Sequence, residues 1–179
     1  MKASLLWVDL EMTGLSPAQD KIIEVGAIAT DWQFREVARY SAVVKISPRA
    51  TERWLKDEFW LSRKASRDKL RAEIAANGKT SRKIESELLK FLDDNFDLEK
   101  PIYLAGNSIH QDQKFIEREW PQLNSRLHYR QLDVSAWKVV FENRGIRFAK
   151  PELHRAMSDI EGSMAELKFY LEKVNFAKK

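Results

Sequence analysis

An α/β fold built on a mixed sheet is what this sequence predicts, and three observations carry that expectation. Strand-like runs with short connections come first, long helical periodicities follow, and a later apolar run leads straight into a helix. Ser4 to Glu11 alternates with period two, so Leu6, Val8 and Leu10 share one face and Trp7, Asp9 and Glu11 the other. Thr13-Gly14-Leu15-Ser16-Pro17 reads as a turn. Ile22 to Thr30 is a second, largely buried strand and Val37 to Ile46 a third, and the short links predict an antiparallel meander. From Ala50 to about Phe96 the pattern is helical, with a break at Asn77-Gly78. Its second half repeats Leu88, Leu89 and Leu92 with Ile84, Phe91 and Phe96 at three-and-four spacing behind Ser81, a candidate N-cap. Pro101 to Ser108 is a fourth strand, followed by a helix that carries Asp112, Phe115 and Ile116 and stops at Pro121. Tyr129 to Val134 reads as a fifth strand, and Trp137 to Asn143 as a helix ended by Gly145. The last helix runs from about Ala156 to Val174, with Ile160, Met164, Leu167 and Leu171 inward. No repeat or linker interrupts the chain, so residues 1–179 are read as one domain.

Composition narrows the function classes. The chain has 179 residues, 44% hydrophobic and 32% charged, enough for one sizeable core under a well-solvated surface. No stretch approaches the roughly 20 apolar residues of a membrane helix, and the strand-like start leaves no leader to read. The absence of cysteine excludes disulfides, thiolate metal sites and cysteine nucleophiles, and is compatible with a reducing cytoplasm. The net charge of +4 favours polyanionic partners. Basic residues concentrate between Arg63 and Lys83, a run that equally fits a solvated helix face.

The chemistry lies in carboxylates. Asp9-x-Glu11 places two acids on one strand face, where burial of like charges is costly unless a cation neutralises them. Hard divalent cations take such oxygens, and paired ions serve phosphoryl transfer. Asp112 and Asp159 fall near helix starts, where each is either a further ligand or a charge complementing the helix dipole. His154 precedes Asp159 by five residues, a helical rotation of about 140°, so the two do not share a helix face. The helix therefore begins after His154, leaving a loop histidine suited to general-base work or to capping. Glu24, inside the second strand, is read as a hydrogen-bonded structural acid.

In order along the chain, Trp7-Val8-Asp9-Leu10-Glu11-Met12-Thr13-Gly14-Leu15, Gly106-Asn107-Ser108-Ile109-His110-Gln111-Asp112, His128-Tyr129-Arg130, Leu132-Asp133-Val134-Ser135 and His154-x-Ala156-x-x-Asp159 resemble the DEDDh 3′-to-5′ exonucleases, most closely their oligoribonuclease branch. The similarity runs from about Leu5 to Tyr170. It implies an RNase H-like fold with a central five-stranded mixed sheet flanked by helices, and a homodimer. It implies two Mg²⁺ or Mn²⁺ ions on Asp9, Glu11, Asp112 and Asp159, His154 as general base, and short RNA oligonucleotides, chiefly dinucleotides, as substrate. In that branch the residue matching Leu15 wedges between two bases, with Met12 at the same surface. Those matching Ser108, Arg130 and Ser135 hold the 5′ phosphate, joined by His128 and Tyr129 of the partner subunit. Three departures stand out. Asp57-Glu58-Phe59-Trp60 leaves open whether Phe59 or Trp60 stacks a base, Ser158 replaces an acid common beside Asp159, and residues 143–153 are compact. Two other functions compete: a related exonuclease trimming longer single strands, and a silent nucleic-acid-binding domain.

Overall fold

The computed structural model describes residues 2–149 and 155–174. Strand β1 (Leu5–Met12) pairs antiparallel with β2 (Ile22–Thr30), and β2 antiparallel with β3 (Glu36–Val43). On its other edge β1 pairs parallel with β4 (Tyr103–Gly106), and β4 with β5 (Gln131–Asp133). The five-stranded sheet thus has the order β3-β2-β1-β4-β5, a meander joined to a parallel half.

β1 and β2 are buried on both faces because helices cover each side. Leu6, Val8 and Leu10 meet Ile84, Leu88 and Leu92 of α4 (Ser81–Asn95) and Phe115 and Ile116 of α5 (Ile109–Glu119). Leu5 and Trp7 meet Val134 and Phe141 of α7 (Val134–Glu142) and Ile160, Met164, Leu167 and Tyr170 of α8 (Ala156–Leu171). A third cluster, Ile23, Val43, Trp54, Trp60 and Leu70, seats α1 (Pro48–Leu55), α2 (Glu58–Ser62) and α3 (Lys64–Asn77) on the end of the meander.

The local signals err at element ends. The predicted Ser81 cap is displaced by one residue: Thr80 Oγ1 accepts the Lys83 amide at 3.3 Å, and Ser81 Oγ accepts the Trp120 indole N–H at 2.8 Å instead. Two adjacent hydroxyl residues competed for one cap, and only Thr80 lies outside the first turn. β3 ends at Val43, short of Ile46; Val44 still donates its amide to the Ile23 carbonyl at 2.9 Å and bridges to Lys79 on its other side. α7 begins at Val134, earlier than Trp137, because the Asp133 carboxylate caps the Ser135 amide at 2.9 Å. Pro121 does not merely stop α5; it opens α6 (Pro121–Asn124).

One contact fixes where α8 meets the sheet. Gly26 on β2 lies opposite Asp9 in the register, and α8 begins directly over it. A Cβ there would sit 3.0 Å from the Ala156 carbonyl carbon and from the Met157 nitrogen. Only a residue without a side chain lets a helix backbone approach a strand this closely. Gly26→Ala is expected to cost about 1–3 kcal/mol by overpacking, read as a lower thermal midpoint. An unchanged midpoint would contradict this packing.

Candidate active site

The site grows from the strand period. Asp9 and Glu11 emerge on the α8 side of β1, and α8 starts over Gly26 opposite Asp9, so Asp159 in its first turn arrives beside them. Carboxylate oxygens of Asp9, Glu11 and Asp159 all lie within 4.8 Å of one another. Glu11 is buried; Asp9 and Asp159 are half-buried. Burial raises the Glu11 carboxyl to about 8, helped by the nearby charges of Glu24, Asp159 and Asp112 and opposed by Arg155.

Asp112 adjoins this trio without joining it. The β1–β4 ladder ends at Trp7–Ala105, leaving the far end of β1 open to α5. There Asp112 Oδ1 accepts the Leu10 amide at 3.0 Å. Burial raises its carboxyl to about 7, against the lowering effect of the Leu10 and Asp112 backbone amides. Carboxylates gathered this closely are hard oxygen donors that suit a hard divalent cation. His154 lies outside the described residues. The residue after it, Arg155, is fixed by a double hydrogen bond to Glu24, the structural acid of β2.

A cleft of about 390 Å³ opens beside the carboxylates, lined by Asp9, Glu11, Asp159, Met12, Leu15 and Phe59 among others. Leu15 is 74% exposed, not tucked onto the core. Its turn is braced from below. Asp20 accepts the Ser16 amide at 2.9 Å and the Thr13 hydroxyl at 3.2 Å, and Gln111 Nε2 donates to the Leu15 carbonyl at 2.7 Å. Gly14 leaves the room for this, since a Cβ there would lie 2.6 Å from the Asp20 carboxylate. Trp60 is buried and donates its indole N–H to the Met12 carbonyl at 2.8 Å. Phe59 is 44% exposed, with the Arg63 guanidinium 3.8 Å over its ring.

A second group of polar residues gathers where β4 ends. Ser108 adopts a left-handed backbone (φ 49°), and its amide donates to Asp133 Oδ1 at 3.0 Å and to Ser135 Oγ at 2.7 Å. Asn107 links this pair to α8, accepting from Ser135 Oγ at 3.2 Å and donating to Ser163 Oγ at 3.1 Å and Glu166 Oε2 at 2.9 Å. His128, Tyr129 and Arg130 stand apart. Gln131 registers with Leu104 and Asp133 with Gly106, so this segment enters β5 at the end away from Ser135. The His128 and Tyr129 rings lie 4.5 Å apart, and the Arg130 guanidinium sits 5.1 Å from the Tyr129 ring. Asp20 carries no sequence signal of its own, and Asn107, Gln111 and Arg155 stand beside Ser108, Asp112 and His154 in the quoted motifs without a role assigned to them.

Residues 6–167 match the exonuclease family model RNase_T. The oligoribonuclease of Pseudomonas syringae pv. syringae is 35% identical over 96% of each chain, and that of Nitrosomonas europaea 34% identical over 93% of each. The chain belongs to the exonuclease family, among the oligoribonucleases. Its fold is shared with longer enzymes. Exonuclease I of E. coli, in a zinc-bound complex with ssDNA, superposes with a TM-score of 0.67 over 97% of this chain at 15% identity. Exonuclease I from Methylocaldum szegediense gives 0.66 over 96% at 16%. The chain spans about two-fifths of the length of those proteins, 41% and 40%.

The electrostatics of this oligoribonuclease site set a pH dependence. Glu11 holds its proton up to about 8 in the fold against 4.5 ordinarily, and Asp112 up to about 7 against 3.8. A raised folded pKa means the contribution to stability is full below the ordinary value and lost as pH rises through the folded one. With chelator present, the thermal midpoint is therefore expected to fall between about pH 5 and pH 8, by on the order of 5 °C. Mn²⁺ is expected to restore it most at the alkaline end, where it replaces the lost protons. Melting curves at both pH values, with chelator and with Mn²⁺, check this. A midpoint flat in pH would count against it.

Proposed function

We propose that this chain hydrolyses very short RNA, chiefly dinucleotides, from the 3′ end to nucleoside 5′-monophosphates. The observation that carries the reading is the Asp9–Glu11–Asp159 cluster at the mouth of a short cleft flanked by exposed Leu15 and Phe59. Two divalent ions, Mg²⁺ or Mn²⁺, would be held by Asp9, Glu11, Asp112 and Asp159. When bound, such ions neutralise charge on the scissile phosphate and lower the pKa of water. His154 takes the proton of the attacking water. The water oxygen bonds to phosphorus, the bond from phosphorus to the 3′ oxygen breaks, and that oxygen leaves as a hydroxyl with a proton from solvent.

Leu15, with Met12 beside it, wedges between the two bases, and Phe59 stacks one of them. Phe59 takes this role over Trp60 because Trp60 is buried with its indole N–H already committed. Ser108 and Ser135 hold the 5′ phosphate with Arg130, whose planar fork suits phosphate oxygens. His128 and Tyr129 of the partner subunit close the cap in a homodimer. One feature supports supply from a second copy: Tyr129 is 74% exposed. Val139, 70% exposed, and Val140 give α7 an apolar outer face suited to such an interface. Residues 1–179 act as one exonuclease domain, placed in the cytoplasm. Among the described residues no helix is long and apolar enough to cross a membrane. The basic residues of α3 fit the competing reading, in which longer single strands are trimmed.

Asp9→Asn is expected to cut dinucleotide hydrolysis by about 10²–10³-fold or more with the circular dichroism unchanged. A variant keeping most of its activity would remove the metal reading. Arg130→Ala is expected to slow dinucleotide cleavage by roughly 10–100-fold, the scale of one charge-assisted hydrogen bond, and to affect trimming of a long strand far less. Equal losses on both substrates would argue against a phosphate cap.

A further inference from the structure

We propose that Arg155 is a positioning residue for the carboxylate site: its fork withholds Glu24 from the metal-binding set while its backbone orients Asp159. The inference rests on the function proposed above and concerns residues outside the reacting group.

Glu24 lies directly across from Glu11 in the β1–β2 register, so both side chains emerge on the same sheet face. It is buried, 5% exposed. A further carboxylate this close to Asp9, Glu11 and Asp159 is a ready oxygen donor, and burying it without a counter-charge is costly. Arg155 supplies that charge in a geometry that occupies both oxygens. Its Nε lies 3.0 Å from Oε1 and 3.1 Å from Oε2, and its Nη2 lies 2.8 Å from Oε1. The same Nη2 reaches Glu73 of α3 at 2.8 Å, which fixes the guanidinium from the other side. Arg155 is also the residue on which α8 begins, and its amide donates to Asp159 Oδ2 at 3.2 Å. One residue therefore grips the acid that must stay out of the donor set and sets the rotation of the acid that belongs in it. Lysine, a point charge without a fork, would keep the neutralisation and lose the occupancy of both oxygens.

Arg155→Met releases Glu24 and removes one positive charge beside the site. Electrostatics then requires tighter cation binding, with Glu24 free to enter the donor set, while the Arg155 amide still holds Asp159. By calorimetry, Mn²⁺ is expected to bind about tenfold more tightly. Turnover of a dinucleotide is expected to fall roughly 10–100-fold with KM within about twofold. The double variant Glu24→Gln, Arg155→Met is expected to return Mn²⁺ affinity to that of the unmodified protein and to recover most of the lost turnover. Tighter metal binding with slower turnover is a pairing that a general loss of structure does not produce. Mn²⁺ affinity that is unchanged or weaker in Arg155→Met, or a double variant no better than the single, would overturn the proposal. If Arg155→Met does not fold, Arg155→Lys decides: Mn²⁺ affinity within about threefold of the unmodified protein with slower turnover supports it, and unchanged turnover sinks it. An unmodified protein without Mn²⁺-dependent hydrolysis would defeat the proposed function, whereas the calorimetry tests the role of Arg155 in either case.

Discussion

Mutual repulsion among carboxylates is the constraint around which this structure is arranged. Asp9, Glu11 and Asp159 bring oxygens within 4.8 Å of one another, and Glu11 is buried. Each of these groups would be better solvated apart. The surroundings hold them together nonetheless: Glu11 retains its proton up to about 8, Asp112 is satisfied by the Leu10 amide, and Glu24 is matched by Arg155. The energy held in this arrangement is what a divalent cation would release on binding, which is why the site and its metal dependence are one argument.

The fold serves that cluster through a few exact approaches. β4 is short, so the far end of β1 is left for Asp112 rather than for another strand. Gly26 has no side chain, so α8 starts against the sheet and delivers Asp159 to the strand pair. Asp20 and Gln111 brace the turn that presents Leu15 to the cleft. The Asn107 relay ties the Ser108–Ser135 pair back to α8. The same helix therefore anchors both the carboxylate cluster and the serine pair.

Much of this was legible in the chain because period and motif are local signals. The alternation from Ser4 to Glu11 put Asp9 and Glu11 on one face, and the five-residue step from His154 to Asp159 required the last helix to begin between them, as α8 does at Ala156. The meander followed from connection lengths, and the rest of the sheet was legible only as mixed. Element ends were less legible, because Thr80 and Ser81 offer the same hydroxyl and only three-dimensional geometry chooses between them. Long-range partners were not legible. Nothing local joins Glu24 to Arg155 across 131 residues, or Gln111 to the Leu15 carbonyl across 96. Phe59 and Trp60 are neighbours of similar chemistry, and only burial separates them.

The activity proposed for this protein is cation-dependent cleavage of a substrate only two nucleotides long. The most direct test gives the unmodified protein a 5′-labelled RNA dinucleotide and a 5′-labelled long single strand in parallel, each with Mn²⁺ and with chelator. Rapid cleavage of the dinucleotide that chelator abolishes, with the long strand nearly intact, is expected. Progressive shortening of the long strand beside a spared dinucleotide would contradict it.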